Sequence, residues 1–216
     1  MRNGFHKLLL QSALFLPIFL HSVISSGSDL SVEKIQKAYE GIRDIKGSFV
    51  QKSHIRDLKR TDTFKGTFMI KMPAMMRWQY QSNGQDTEVI INNGEMVIYQ
   101  KKEKQAFKGK FDRATYGQAP IALLSGFGNI EKEFNIAVKE GRLLLKPRRP
   151  MGNVTSIEIA PSDGTFPIGS LSIIDSRSNR IDITLKDVTL NTGIKDSVFD
   201  FSLPKGVSMF EYNQPQ

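Results

Sequence analysis

Short runs of alternating apolar and polar residues, separated by tight-turn pairs, are the feature that most limits how this chain can fold. Alternation with a period of two is typical of β-strands that bury one face. The separating pairs are of the kind that closes two-residue hairpins, and they are Asn83-Gly84, Asn93-Gly94, Glu140-Gly141 and Asp163-Gly164. The sequence therefore predicts antiparallel strands joined by type I′ turns.

The runs between the turns predict the extent of individual strands. They are 64–72, 76–80, 87–92, 96–100, 134–139, 143–145, 154–160, 168–174, 181–190 and 199–201. Within 181–190 the apolar face switches at Lys186-Asp187, which indicates a β-bulge. With a strand around Phe49 and a sixth strand before residue 119, about ten to twelve antiparallel strands result, a number typical of a large curved sheet or barrel.

Two segments have helical patterns instead. The first has apolar residues at steps of three and four, which predicts an amphipathic helix. Its apolar positions are Val32, Ile35, Tyr39 and Ile42. The second segment, 119–127, is apolar nearly all round, so it has to be covered either by the sheet or by a ligand.

The first 26 residues have the features of a cleaved signal peptide. Arg2 and Lys7 precede a mostly apolar run over 8–24, and small residues follow it. We expect cleavage within about two residues of position 26, which leaves one domain over 27–216. Because the sequence contains no cysteine, the exported domain is expected to fold without disulfides.

The charge balance permits contact with anionic surfaces, although an ordinary solvated basic surface is the simpler explanation. The net charge of the full sequence is +8, and removal of the two cations in the leader lowers it to +6. These charges are spread along the chain without a long basic block. We expect a basic surface that can approach membranes transiently. Export argues against a nucleic-acid partner.

Side chains for catalysis or metal binding are scarce. His54 is the one histidine outside the predicted leader, and there is no cysteine, so a thiolate or multi-histidine metal site is excluded. No phosphate-binding loop and no nucleophile-elbow motif occurs. A catalytic His54 would need a serine and an aspartate beside it, and we expect instead an exposed histidine at a strand end. With catalysis and metal binding disfavoured, we expect that the protein binds a ligand and uses no cofactor or metal.

Methionine is concentrated around one segment, KMPAMMRWQYQ. Four of the eight methionines fall between positions 69 and 76, close to the single tryptophan, Trp78. Methionine keeps rotamer freedom and specifies its packing poorly, so it suits a surface that adapts to ligands of varied shape. Period two places Met76, Trp78 and Tyr80 on one face and Arg77 and Gln79 on the other. An ordinary β-core is the alternative explanation.

Several short motifs occur in an order that resembles the outer-membrane lipoprotein carrier family, LolA, over essentially all of the region after the leader. They are Phe49-Val50-Gln51, Lys71-Met72-Pro73, Arg77-Trp78-Gln79-Tyr80, Asn93-Gly94 before Val97-Ile98-Tyr99, and the segments 119–124 and 199–207. The resemblance implies an incomplete, half-open antiparallel β-barrel of about 11 strands with an α-helical lid over an apolar cavity.

The same resemblance implies a periplasmic chaperone of a Gram-negative bacterium. Such a chaperone takes acylated lipoproteins from a lipoprotein-releasing ABC transporter complex in the inner membrane. It shields their acyl chains and delivers them to the outer membrane, where in many bacteria a lipoprotein receptor accepts them. A monomer that touches membrane surfaces transiently, and that needs no cofactor, fits this role.

Candidate site residues follow from the resemblance and from strand parity. The acyl-chain cavity is expected to be lined by Phe49, Phe64, Phe68, Ile70, Met76, Trp78, Tyr80 and Ile98. The lid is expected to contribute Ile121, Leu123, Leu124 and Phe127.

The position of Met72 departs from the family pattern. Many members have an arginine there, within Lys-Arg-Pro, which helps to latch the lid and to govern cargo hand-off. Met72 cannot donate those hydrogen bonds. We expect either that Arg77 or another basic residue replaces this latch, or that the lid of this protein opens more easily.

Two other functions remain open at this point. One is a carrier or sensor of another envelope lipid or acylated ligand, and the other is a periplasmic esterase that uses His54. The related outer-membrane receptor is disfavoured because it would need a lipid-modified cysteine.

Overall fold

One sheet of twelve strands dominates the structure, a computed structural model that describes residues 32–81, 86–111 and 130–211. The strands are β1 (Asp44–Ile55), β2 (Arg60–Lys71), β3 (Met75–Gln81), β4 (Thr87–Asn92), β5 (Glu95–Gln100), β6 (Gln105–Lys110), β7 (Phe134–Lys139), β8 (Arg142–Pro147), β9 (Val154–Pro161), β10 (Ile168–Asp175), β11 (Arg180–Leu190) and β12 (Ser208–Glu211). Within the described ranges the helices are α1 (Val32–Glu40), α2 (Ile130–Glu133) and a 3-10 helix at Asp196–Phe199. None of these helices is long and apolar enough to cross a membrane.

The strand order is β12-β6-β5-β4-β3-β2-β1-β11-β10-β9-β8-β7. Every pairing is antiparallel except that of β12 with β6, which is parallel. The two end strands, β7 and β12, do not pair with each other, so the sheet is open. The prediction of an open, mainly β, largely antiparallel architecture is therefore confirmed. The expected lid helix (119–127), the leader (1–26) and the Asn83-Gly84 turn lie outside the described residues.

Two of the predicted hairpin turns have the expected backbone. Asn93 and Gly94 have φ values of 49° and 87°, and Glu140 and Gly141 have 52° and 71°, as a type I′ turn requires. The prediction for Asp163-Gly164 is wrong, because neither residue adopts a positive φ. A wider loop over 162–167 joins these strands instead, closed by the hydrogen bond that the Ser162 N–H donates to the Pro167 carbonyl at 3.1 Å.

The predicted bulge in β11 is confirmed. The register between β1 and β11 shifts between Lys46 and Ser48, opposite the stretch from Lys186 to Thr189. Asp187 takes a φ of 51° there, and the Ser48 hydroxyl donates to its carboxylate at 2.9 Å. Such a bulge increases local twist and lets a large sheet curl.

The end of the chain differs from the prediction. Residues 199–201 were expected to form a strand, but Phe199 ends the 3-10 helix and Phe201 has no regular structure. The apolar Phe199 is buried by packing against the sheet rather than by pairing within it. The last strand is β12, which the sequence did not indicate because Met209 and Phe210 are adjacent and break the alternation. Its pairing with β6 is parallel, so no hairpin turn precedes it.

Helix α1 forms where the spacing of apolar residues predicts it, with Ile35 and Tyr39 buried. It packs into one continuous core that lies on one face of the sheet. The ring of Tyr39 contacts Phe166, with centroids 5.8 Å apart. We call this side of the sheet the apolar face, and the other side the strap face, for the segment described below.

Candidate functional site

The apolar face contains every residue that was predicted to line a cavity. Direct strand pairs place Ile70 opposite Met76, Phe68 opposite Trp78, and Val89 opposite Ile98. Because directly paired residues point to the same face, the predicted set shares one surface. Its members are Phe49, Phe64, Phe68, Ile70, Met76, Trp78, Tyr80 and Ile98.

Aromatic rings surround Trp78 at the centre of this face. The ring of Phe49 lies 4.2 Å from Trp78 between centroids, and Phe68 stacks on it at 5.2 Å. Tyr80 meets Phe49 and Phe64 edge to face at 5.4 and 6.0 Å. Trp78 itself is 0% exposed, so the centre of the apolar face is closed in this structure.

Three linked polar side chains lie at the margin of the aromatic rings. The Tyr80 hydroxyl donates to the side-chain oxygen of Gln51 at 3.2 Å, and the Gln51 amide donates to Ser53 at 3.1 Å. Burial raises the pKa of Tyr80 to about 12, so the hydroxyl keeps its proton at neutral pH. These groups provide neutral hydrogen bonds without a charge, which is compatible with an apolar ligand beside them.

The methionine-rich segment divides between the two faces. Met76 pairs with Ile70 and is buried on the apolar face, and Met72 packs half-buried against the same core. Met69 and Met75 pair with Arg77 and Lys71 respectively, on the strap face. Only part of the methionine cluster can therefore contact a ligand on the apolar face.

Met72 lies in the turn between β2 and β3, at one end of the apolar face. Its N–H donates to the carbonyl of Arg43 at 2.9 Å, so its backbone is tied to the segment that leads from α1 into β1. Its thioether occupies the place where the resemblance leads one to expect an arginine.

Arg77 points to the strap face, as the sequence alternation predicts. Its guanidinium donates to the carbonyl of Val198 at 2.6 Å and to the carboxylate of Glu88 at 3.2 Å. Burial alone would raise the pKa of Glu88, but the hydrogen bond from Gln79 and the charge of Arg77 outweigh burial and hold it below its usual value. These contacts commit Arg77 to the face opposite Trp78, so the geometry does not favour it as a replacement for the arginine expected at position 72.

A segment that sequence reasoning missed covers the other side of the sheet. Residues 191–207, which we call the strap, run across β2 to β5. The Lys71 ammonium donates to the Ile194 carbonyl at 2.8 Å, and the Asn92 amide donates to Asp200 at 3.1 Å. The ring of Phe201 contacts Tyr99 at 5.5 Å. The alternation of Phe199, Asp200 and Phe201 was the available signal, but it is equally typical of a strand.

Asp44 fixes the start of the strap to the start of β1. Its carboxylate accepts hydrogen bonds from the Thr192 N–H at 2.7 Å, the Thr192 hydroxyl at 3.0 Å, the Gly193 N–H at 2.9 Å and the Ile194 N–H at 3.3 Å. Burial would raise the pKa of Asp44, but these donors together hold it below its usual value. We call this arrangement the Asp44 clasp.

His54 lies at the end of β1, as expected, and is partly exposed. Its Nε2 lies 3.0 Å from the Asp182 carboxylate and its Nδ1 lies 2.9 Å from the Thr61 hydroxyl. Both ring nitrogens are thus engaged, and no serine hydroxyl is among their hydrogen-bond partners in the described part of the chain. The same described residues contain no group of three or more metal-ligating side chains.

The comparisons with known proteins agree with this architecture. Residues 40–202 match the family model described as outer membrane lipoprotein carrier protein LolA. An outer-membrane lipoprotein carrier protein from Pseudomonas putida strain KT2440 is 28% identical over 211 residues, which cover 95% of this chain and 98% of that protein. One from Neisseria meningitidis strain FAM18 is 26% identical, over 86% of this chain and 89% of that protein.

A solved structure supports the fold alone. An uncharacterized conserved protein from Thermus thermophilus superimposes with a TM-score of 0.52 at 9% sequence identity, over 84% of this chain and 96% of that one. The carrier family is not enzymatic, which removes the esterase alternative for His54. With the family model matching about three quarters of the sequence, this chain belongs to the outer membrane lipoprotein carrier protein family, LolA.

Proposed function

We propose that this protein carries lipoproteins to the outer membrane by holding their acyl chains against the apolar face. The observation that carries this proposal is the alignment of Phe49, Phe68, Ile70, Met76 and Trp78 on one surface, in a member of a lipoprotein carrier family. The wall of the acyl site consists of these residues with Phe64, Tyr80 and Ile98. The lid contributes Ile121, Leu123, Leu124 and Phe127, which lie outside the described residues.

The energetics of an acyl chain set what this face has to provide. Each methylene removed from water contributes about 0.8 kcal/mol, so a chain of roughly a dozen methylenes represents on the order of 10 kcal/mol. A carrier has to match this with apolar contacts and must still release the cargo. Aromatic rings offer the contact area, and the unbranched side chains of Met72 and Met76 can repack around chains of different shape.

The centre of the apolar face is closed to solvent, so an acyl chain cannot reach Trp78 without a rearrangement. Trp78 and its neighbours bury one another instead of exposing a large apolar patch, which would promote aggregation. Uptake of an acyl chain then requires the rings around Trp78 to move apart, and the acyl chain replaces the contacts that these rings lose. The cost of opening lowers the net affinity and so makes release possible.

The route of the cargo defines the partners. Proteins of this family are periplasmic, and we assign residues 1–26 as the signal peptide that directs export. A lipoprotein-releasing ABC transporter complex in the inner membrane supplies the acylated lipoprotein. A receptor or the outer membrane itself accepts it. The protein acts as a monomer that touches membrane surfaces only transiently, and it needs no cofactor.

Co-purification from the envelope of the host tests this function. Wild-type protein is expected to carry acylated lipoproteins that mass spectrometry identifies, and Phe64→Glu should carry few, because it places a carboxylate on the apolar face. Thr63→Glu is the matched control, since Thr63 is the neighbouring residue on the strap face. Free lipids without lipoproteins on the wild type would indicate a carrier of another lipid. Equal lipoprotein loads on Phe64→Glu and wild type would contradict the proposed site.

A further inference from the structure

The apolar face reaches the edge of the sheet along one particular row of side chains. This row contains one residue from each of six neighbouring strands, and each residue pairs directly with the next. In order from β2 to β12 they are Phe68 (β2), Trp78 (β3), Val89 (β4), Ile98 (β5), Phe107 (β6) and Phe210 (β12). The rings of Phe107 and Phe210 stack with centroids 5.5 Å apart. We call this the Trp78 row.

Exposure is lowest at the inner end of the Trp78 row and highest at the edge of the sheet. Phe68 and Trp78 are fully buried, Val89, Ile98 and Phe107 are half-buried, and Phe210 at the edge is 45% exposed. A continuous, partly accessible apolar surface therefore leads from solvent to the aromatic centre of the sheet.

The neighbouring rows do not provide such a surface. The row of Met76 continues through Met96 and ends at Gly109, which has no β12 partner. The row of Tyr80 becomes polar and ends at Ser208, through Thr87, Gln100 and Gln105. Among the described strands on this side of β1, only the Trp78 row is apolar as far as β12.

The opposite edge of the sheet is built differently. Val138 on β7 is 68% exposed, but its row continues through Leu143, Ile159 and Leu171, which are buried almost completely. An apolar group at Val138 would meet closed packing one strand further in. The β12 edge is therefore the better route to Trp78.

We propose that the β12 edge is the passage by which an acyl chain enters and leaves the apolar face, with Phe210 and Phe107 as its first contacts. This inference rests on the proposed function, and it adds the place of uptake. The end of an acyl chain first lies against the exposed ring of Phe210 and then along Ile98 and Val89. It reaches Trp78 last, when the rings around Trp78 move apart. Each step exchanges one apolar contact for the next, so no part of the chain returns to water on the way.

The single tryptophan lies at the inner end of the row and makes a direct test possible. The probe is 9,10-dibromostearic acid, whose bromine atoms quench indole fluorescence on contact. Stopped-flow mixing of the full mature protein with this probe gives the rate at which the acyl chain reaches Trp78. Phe210→Ser should slow this rate about five-fold, because the phenyl ring whose exposed part makes the first contact is lost.

Three variants make the result specific. Met209→Ser changes an apolar residue of similar exposure, 37%, on the same strand but on the other face, and should react at the wild-type rate. Val138→Ser at the opposite edge should also leave the rate unchanged. Phe210→Leu should restore most of the rate, because an apolar side chain is enough for the contact.

The outcomes separate the passage from the function. No quenching of Trp78 in the wild type would contradict acyl binding on the apolar face, and the passage with it. Quenching in the wild type at a rate that Phe210→Ser does not change would leave the proposed function intact and overturn the passage. Equal slowing by Phe210→Ser and Met209→Ser would also overturn it, since the effect would then belong to β12 in general.

Discussion

Gly66 on β2 occupies a place where the apolar face has no room for a side chain. A Cβ at this position would collide with the carbonyl oxygen of Gln79 and would lie 2.8 Å from the ring of Phe49. The missing side chain allows Phe49 and Tyr80 to meet across β2, because Gly66 pairs with both of them. The close aromatic packing around Trp78 thus depends on a residue that contributes no apolar surface.

We expect Gly66→Ala to destabilise the protein by at least about 3 kcal/mol, because backbone and ring both have to shift. Urea denaturation followed by circular dichroism measures the change. Gly94→Ala is the control: its Cβ would meet nothing within 4 Å, and only its φ of 87° opposes the substitution, at a cost of about 1–2 kcal/mol. Equal losses in both variants would show that crowding at Gly66 is unimportant.

Met72 stands where the resemblance to the carrier family implies an arginine. We expect Met72→Arg to slow the release of dibromostearic acid roughly ten-fold. A guanidinium at this position can donate charge-assisted hydrogen bonds that hold the expected lid closed. Recovery of Trp78 fluorescence after dilution into vesicles measures the release. Met75→Arg, three residues further on and on the strap face, should release at the wild-type rate. An unchanged rate in Met72→Arg would mean that this position does not control release here.

Individual elements were predictable where both their pattern and their ends are local. The bounds of β4 and β7 agree with the alternation because the pairs Asn93-Gly94 and Glu140-Gly141 stand next to strands whose apolar residues face one side. Helix α1 was recognisable because its buried Ile35 and Tyr39 are four residues apart. The eight predicted residues of the apolar face share one surface for the same reason, since period two holds within every strand involved.

Elements defined by distant contacts could not be predicted in this way. Phe199 and Phe201 alternate like strand residues, yet they pack onto the strap face, because the groups that receive them come from β3, β4 and β5. Strand β12 pairs with β6 in parallel, so no hairpin turn precedes it that could serve as a sequence signal. The edge position of Phe210, on which the proposed passage depends, became visible only from this pairing.

The strap is held by the Asp44 clasp, and this gives the element a defined pH dependence. The pKa of Asp44 is lower in the folded state than in the unfolded chain, so its contribution is complete above the unfolded value of about 3.9 and is lost as the pH falls through the folded value.

We expect Asp44→Asn to lower the free energy of unfolding by about 2–3 kcal/mol at neutral pH, because the charge-assisted hydrogen bonds to the strap are weakened. The difference from the wild type should shrink below about pH 4. Urea titrations at several pH values measure this. Asp57→Asn, at an exposed position in the β1–β2 turn, should change stability little. A difference for Asp44→Asn that stays constant down to about pH 2 would contradict the role of the charge.

At the scale of the whole molecule, the sheet has a well-supported middle and two different edges. Strand β1 pairs along its length with both β2 and β11 and joins the two halves of the sheet. Strand β12 contains four residues, all of them exposed, and two of these are the apolar Met209 and Phe210. Stability should therefore decrease from β1 towards β12.

Amide hydrogen exchange should reveal this gradient. We expect the amides of β1, β2 and β11 to exchange slowest, through near-global unfolding, and those of β12 to exchange at least about a hundred-fold faster, through local opening. Mass spectrometry of peptic fragments resolves the strands. Protection of β12 equal to that of β1 would contradict the expected decrease in stability towards this edge.

The pairing of β1 with β11 and the Asp44 clasp also determine when this molecule can finish folding. Both partners of β1 are needed to bury its side chains, and the second partner, together with Thr192, Gly193 and Ile194, belongs to the last part of the chain. When the chain emerges with its N-terminus first, the hairpins from β1 to β6 can form early. Strand β1 cannot pair with its second partner, β11, until about 190 residues have emerged. Strand β1 therefore has only one of its two partners during most of the time in which the chain emerges, and the two halves of the sheet join only near the end of folding.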